Sequence, residues 1–217
     1  MMSWTKLICI LIASVFTQLT NGEIPPDSQC GKAKICWPAE CPAEGCVGFL
    51  ISWWNTDLDY LRFEMKMEIV PSGEHYIALG FSGNNQMPDS SIVMCRSDDN
   101  VQLGYTQGRT YAPGTDLYGI RNTSFADTNN ITTCSFDRIK KPTKNEDTLR
   151  SLTDSFFLIR AWGAVTGGVP AYHKNNRGVS PKSYSYPVMK GTGHNIKPAS
   201  VSLCACLIGA WLSYMLH

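Results

Sequence analysis

Between Tyr60 and Ile69 apolar and charged residues alternate without a break. Leu61, Phe63, Met65, Met67 and Ile69 fall on one parity, and Arg62, Glu64, Lys66 and Glu68 on the other. A period of two is what a half-buried antiparallel strand requires, because successive strand side chains point to opposite faces; a helix would spread those charges around its circumference. Pro71-Ser72-Gly73 predicts a turn and His75 to Phe81 the next strand, so these two strands are expected to form a hairpin. Val47 to Trp53, Ile92 to Cys95, Val101 to Tyr105, Ile131 to Phe136 and the strongly apolar Phe156 to Trp162 are further strand candidates. Clusters of Gly, Asn, Asp and Pro separate them, as at Ser97 to Asn100 and Thr143 to Asp147. Lys140 to Asp154 has room for a short helix, but no segment sustains a 3.6-residue period. Many short strands with turn signals between them predict an all-β sandwich or a barrel-like sandwich.

Both ends of the chain read as sorting signals. Lys6, the apolar run Leu7 to Phe16 and the small and polar stretch Thr17 to Gly22 have the layout of a cleavable signal peptide over residues 1–22. The apolar run is too short to cross a bilayer, which takes about 20 residues. At the other end, Ala199 to Leu216 is apolar and uncharged, and no basic residue follows it. A stop-transfer helix carries Lys or Arg on its cytoplasmic side. Gly191-Thr192-Gly193, then His194 to Pro198, resemble a small-residue attachment site and a polar spacer, so residues 191–217 are expected to be a glycolipid anchor signal. Gly191, Gly193 and Asn195 are the candidate attachment residues; a retained tail helix and a buried C-terminal helix are the alternatives. The domain between the two ends is expected to span residues 23–190, about 170 residues, the size of one domain.

The cysteines agree with both cuts. The chain has nine, an odd number for an oxidising compartment. Cys9 leaves with the signal, and Cys204 and Cys206 leave with the tail. Cys30, Cys36, Cys41, Cys46, Cys95 and Cys134 remain, which allows three disulfides in any of fifteen pairings. The four clustered cysteines lack a C-x₂-C pair and have no histidine among them, which argues against zinc. Asn122-Thr123-Ser124 and Asn130-Ile131-Thr132 are glycosylation sequons, so Asn122 and Asn130 are expected to carry glycans on the luminal side. Without Lys6 and Lys197, 17 of the 19 basic residues remain against 18 acidic ones. No basic stripe stands out to hold phosphates, so a nucleic-acid partner is not expected.

Several familiar catalytic patterns can be set aside, and although sequence leaves a His–acid arrangement open, nothing nominates one. Gly80-Phe81-Ser82-Gly83 begins like a nucleophile elbow, but Asn84 stands where Gly-x-Ser-x-Gly needs its last glycine. Asp98-Asp99-Asn100 reads as a solvated turn. Of the histidines, His75 begins a strand and is expected at the surface, and His194 lies in the spacer. His173 follows the apolar strand and the glycine-rich connection Gly163 to Gly168. Met87 sits in the polar loop Gly83 to Asp89, before the strand Ile92 to Cys95.

One set of residues resembles a known family. Cys30-Gly31, Lys34-Ile35-Cys36, Cys41 and Cys46 come first, followed by Tyr76-Ile77-Ala78-Leu79-Gly80-Phe81-Ser82, Gln86-Met87 and Ile92-Val93-Met94-Cys95. Ile131 to Phe136, Phe156 to Gly163 and His173 complete the order. Together they resemble a DOMON domain, and more closely the ferric-chelate reductase 1 group with its shorter ferric-chelate-reductase-1-like relatives. The resemblance implies an immunoglobulin-like antiparallel β-sandwich with disulfides, used outside the cytoplasm. For cytochrome-type members it also implies a b haem held axially by a Met and a His, here Met87 and His173. Such a pair fills both axial positions, so the haem would pass electrons to or from a redox partner protein rather than activate oxygen. Pro88 departs from the family's pattern beside that Met. The full reductases add a multi-helix membrane cytochrome that this chain lacks, which removes the main reason to expect an enzyme. The shorter relatives imply a non-enzymatic accessory module of a membrane receptor complex, tethered at the extracellular face of the plasma membrane. A secreted or luminal destination is the alternative, and an apolar-pocket binder of a sugar or lipid is a third class.

Overall fold

A computed structural model describes residues 23–43, 45–69, 73–98, 101–108, 110–145 and 148–186. The signal segment, the C-terminal apolar run and the candidate attachment residues Gly191, Gly193 and Asn195 lie outside them. The described residues form twelve strands: β1 (Ile35–Trp37), β2 (Phe49–Asn55), β3 (Tyr60–Glu68), β4 (His75–Ser82), β5 (Ser91–Arg96), β6 (Val101–Gln107), β7 (Thr110–Pro113), β8 (Ile120–Thr128), β9 (Ile131–Ile139), β10 (Phe157–Thr166), β11 (Val169–Pro170) and β12 (Arg177–Val179). They make two antiparallel sheets. One has the order β1-β2-β3-β9-β8; the other has the order β11-β10-β4-β5-β6-β7, with β12 also paired to β10.

The alternation in β3 is realised as written: Leu61, Phe63, Met65 and Met67 are buried and the charged parity is partly exposed. These side chains meet Ile77, Leu79 and Phe81 of β4 and Phe136 of β9 in the main core. Aromatic contacts tie the layers together, with Phe63 edge-on to Phe81 at 5.0 Å and stacked on Phe136 at 5.6 Å. Offset and edge-on pairs of this kind add about 0.5–1.5 kcal/mol beyond burial.

The expected hairpin between Tyr60–Ile69 and His75–Phe81 does not form. β3 pairs with β2 and β9, whereas β4 pairs with β10 and β5 in the other sheet. Both segments carry an apolar parity that must face the same core, and two strands satisfy that face to face across the sandwich. β4 is also apolar on its second parity, where Tyr76 and Ala78 pack with Ile92, Met94 and Val165. A strand buried on both faces belongs in the middle of a sheet rather than in a β3–β4 hairpin.

Lys140–Asp154 contains no helix among its described residues. Turns at Asn145 deliver Leu149 and Leu152, both fully buried, into the main core as a plug. The short β1, β7, β11 and β12 and the exposed edge strand β8 carry no clear apolar period, and sequence reading passed over them.

The six cysteines of residues 23–190 pair as Cys30–Cys36, Cys41–Cys46 and Cys95–Cys134. The first two close small loops that pack with Ile24 and Leu50 on the outer side of the five-stranded sheet. The third joins β5 to β9 through the core and so links the two sheets.

Candidate functional site at the two ends of the sandwich

β4 and β9 run in the same direction on opposite sides of the core. His75 contacts Thr132, and six residues further along each strand Phe81 contacts Arg138. At about 3.3 Å per residue, the two contacts are about 20 Å apart and define the two ends of the sandwich.

At the first end His75 is not the surface residue expected from its position. It lies on the inward parity of β4 and is 5% exposed. Its Nε2 is 3.2 Å from Asp127 Oδ1 and 3.1 Å from Thr132 Oγ1, and Thr132 Oγ1 donates to the same Asp127 oxygen at 2.6 Å. Its Nδ1 faces the Gly73 carbonyl at 3.1 Å. A strand of one sheet is thus latched to β8 and β9 of the other, beside the Cys95–Cys134 bridge. Arg96 closes the same end, donating to Gly168 O at 2.9 Å and to Asp98 at 2.8 Å.

The second end is built differently. Arg138 lies on the inward parity of β9 and is fully buried, its guanidinium 4.2 Å from the Phe81 ring. Nη2 donates to Ser91 Oγ at 2.9 Å and to the Arg150 carbonyl at 2.6 Å. Nε and Nη1 are buried and meet no acceptor. Burial, with the Arg150 charge nearby, pushes the Arg138 pKa down to about 9, which still leaves it cationic at neutral pH. Lys140, next on the same parity, donates to the carbonyls of Asp57 and Leu58, both at 2.7 Å, and burial lowers its pKa too. Nearby, a recess of about 140 Å³ is lined by Leu58, Asp59, Lys140, Lys141 and Tyr186 among others. It is smaller than the cavities of about 300–1,000 Å³ that hold drug-sized ligands.

Met87 and His173 fall at different ends. Met87 is half-buried in the loop after β4, where its carbonyl accepts from Thr106 Oγ1 of β6, level with Ser82 and Ser90. His173 is buried and follows β11. The neighbouring bonds Ala171 N to Ala164 O and Trp162 N to Asn176 O set it level with Tyr76 and Gly163. Burial lowers the pKa of His173, the Arg177 charge adds to that, and a hydrogen bond with the Lys174 carbonyl opposes it. About six residues of strand separate the two levels, roughly 20 Å, and the two residues also sit toward opposite edges of the seven-stranded sheet. The ligating atoms of two axial ligands on one iron, with bonds of about 2.0–2.3 Å each, lie within about 5 Å of one another, and the reach of one Met and one His side chain does not span the remainder of this backbone separation. The Met87–His173 pair therefore does not fit one haem in this structure. Among the described residues, no group of three or more His, Cys, Asp or Glu is placed to hold a metal.

The sequons lie together on the β8–β9 hairpin. Asn130 is exposed in its turn, whereas Asn122 Nδ2 donates to the buried Asp137 carboxylate at 2.7 Å. Asp137 also receives Arg62 at 3.1 Å and Arg121 at 3.4 Å on the outer face of that sheet. Sequence reading passed over Arg138 and Arg150, and placed His75 outside. Parity held a signal for two of them: Cys134 and Phe136 point inward, so Arg138 does too, and His75 shares the parity of Ile77 and Leu79.

A model of the DOMON domain matches residues 48–163, more than half of the chain. The chain belongs to the DOMON family. The matched span runs from the start of β2 into β10, so both ends of the sandwich lie largely within it. A protein of Danio rerio described as putative ferric-chelate reductase 1 is 26% identical over 186 residues, 82% of this chain and 32% of that protein. The DOMON domain-containing protein FRRS1L of Homo sapiens is 26% identical over 198 residues, 86% of this chain and 65% of its own length. The mouse FRRS1L protein is similar to the same degree. The chain thus spans about a third of the reductase and 65% of the FRRS1L proteins. Among the described residues no helix is long and apolar enough to cross a membrane.

Proposed function

We propose that this DOMON chain is an extracytoplasmic, membrane-tethered interaction module that acts without a haem and without a reaction of its own, its partner being a membrane protein complex. The observation that carries this reading is the separation of Met87 and His173 along the seven-stranded sheet, which favours an interaction role over one that needs the two as paired haem ligands. The disulfide framework supports a site outside the cytoplasm. Similarity to FRRS1L over 86% of the chain supports a small DOMON layout. The tether is assigned to the apolar segment Ala199–Leu216, and the glycans to Asn122 and Asn130.

The test uses the full chain, extracted from membranes in neutral detergent and titrated with haem. The expected result is no absorption band that survives gel filtration. Cross-linking at the surface of intact cells is expected to capture the chain in a complex larger than itself. A reduced spectrum with sharp bands, lost in both Met87→Ala and His173→Ala, would overturn the proposal and restore the cytochrome reading. Release by a phosphatidylinositol-specific phospholipase tests the glycolipid form of the tether.

A further inference from the structure

We infer that the Arg138 end of the sandwich binds a small anion between the guanidinium groups of Arg138 and Arg150. A guanidinium carries five N–H donors and no acceptor. Arg138 uses two of them, through Nη2, on Ser91 and the Arg150 carbonyl. The other three, on Nε and Nη1, are buried and unpaired, and Nε of Arg150 is buried and unpaired as well. Neither arginine forms an ion pair with a carboxylate among the described residues. A buried cation with no partner is costly, and proteins resolve that cost by neutralising the group, pairing it or coordinating it. An arginine does not lose its proton at physiological pH, which leaves pairing. The ring of Phe81 covers one face of the guanidinium and supplies no negative charge to its edge.

The loop after β4 is the exposed side of this arginine pair. The guanidinium of Arg150 lies directly against Gly83, where a Cβ would come within 2.5 Å of Nη1. Gly83, Asn84, Asn85 and Gln86 are exposed, and Arg150 itself is half-buried. Arg138 is thus the fully buried member of the pair and Arg150 the half-buried one, with the exposed loop after β4 against it. The donors are N–H groups of fixed geometry around two positive charges, which suits a halide, a carboxylate or a phosphate group. This assignment is independent of the proposed function, since it uses neither Met87 nor His173 and requires no particular protein partner.

The full chain in neutral detergent is heated in a concentration series of chloride, acetate or phosphate, each at constant ionic strength made up with isethionate, whose sulfonate is a weaker acceptor than acetate or phosphate. Binding to the folded state alone raises the melting temperature along a saturating curve. At least one of the three probes is expected to give such a curve with millimolar half-saturation, and which one does distinguishes halide from carboxylate from phosphate. Arg138→Met keeps the apolar stem against Phe81 and is expected to abolish the response. Arg150→Gln, at a half-exposed position, is expected to weaken the apparent affinity at least tenfold, and it decides the matter if Arg138→Met does not fold. No saturating response to any probe, or an unchanged response in Arg150→Gln, overturns the inference.

Discussion

The two ends of the sandwich each bury a basic side chain on an inward strand position, yet they treat it in opposite ways. At the first end His75 finds Gly73 O, Thr132 and Asp127, and a disulfide lies beside it. At the second end Arg138 finds one hydroxyl and one carbonyl, an aromatic face, and a second arginine. A polar group in a core contributes to stability only when its partners are in place, and leaving it unpaired costs about 1–3 kcal/mol, more for a charge. The first end therefore reads as a fastening between sheets, and the second as a place that holds a charge for something else.

The largest expected effect falls on the fastening. Cys95→Ala with Cys134→Ala opens a bridge across a sequence separation of 39 residues, and chain entropy puts the loss at about 4 kcal/mol. Cys41→Ala with Cys46→Ala opens a bridge of separation 5 and is expected to lose about 2 kcal/mol. Urea unfolding followed by the fluorescence of the buried Trp53 measures both. Equal losses would mean that the cross-sheet bridge fastens nothing beyond its own loop.

Next comes the plug that closes the other end. Leu152→Ala empties a fully buried position between the sheets and is expected to cost about 3 kcal/mol in the same unfolding assay. A cost below 1 kcal/mol would show that segment 140–156 is a surface flap rather than part of the core.

His75→Ala is expected to lose about 2 kcal/mol, since Asp127 and Thr132 keep each other but lose their tie to the opposite sheet. Arg138→Met, measured without a bound anion, is expected to be neutral or stabilising, because it replaces an unpaired buried cation by an apolar chain of similar length. Losses of the same size in both variants would erase the difference between the ends.

The smallest effect concerns His173. Burial holds its pKa below the ordinary 6.5, so the fold favours the neutral ring. Its contribution is undiminished above pH 6.5 and falls away as the pH drops through the lowered value, where the folded state must accept a proton it disfavours. His173→Gln is expected to flatten the acid side of the melting-temperature profile by a few degrees at most. A variant profile parallel to that of the parent chain would place the acid sensitivity elsewhere.

Much of this was legible in residue order. Parity alone identified the buried side of β3, and strand density gave a sandwich. The even set of six cysteines matches the three bridges that form. The pairing of strands was not legible, because an apolar parity states that a face is buried without stating against what. β3 and β4 look like hairpin partners from a six-residue connection, yet both need the same core and stand on opposite sides of it. The same limit applied to the candidate site. Met87 and His173 were joined through family resemblance, and register separated them, since distance along a sheet depends on which strands pair and at what offset.

The sequence by itself determined that this chain makes an antiparallel β-sandwich with inward and outward sides, because alternation is a local property of the backbone pleat. Only the tertiary structure decided what meets inside it. It set His75 against Asp127 and Arg138 against Arg150, because those neighbours are 52 and 12 residues apart in the chain and are brought together by the packing of one sheet on the other and of the segment after β9 onto the core.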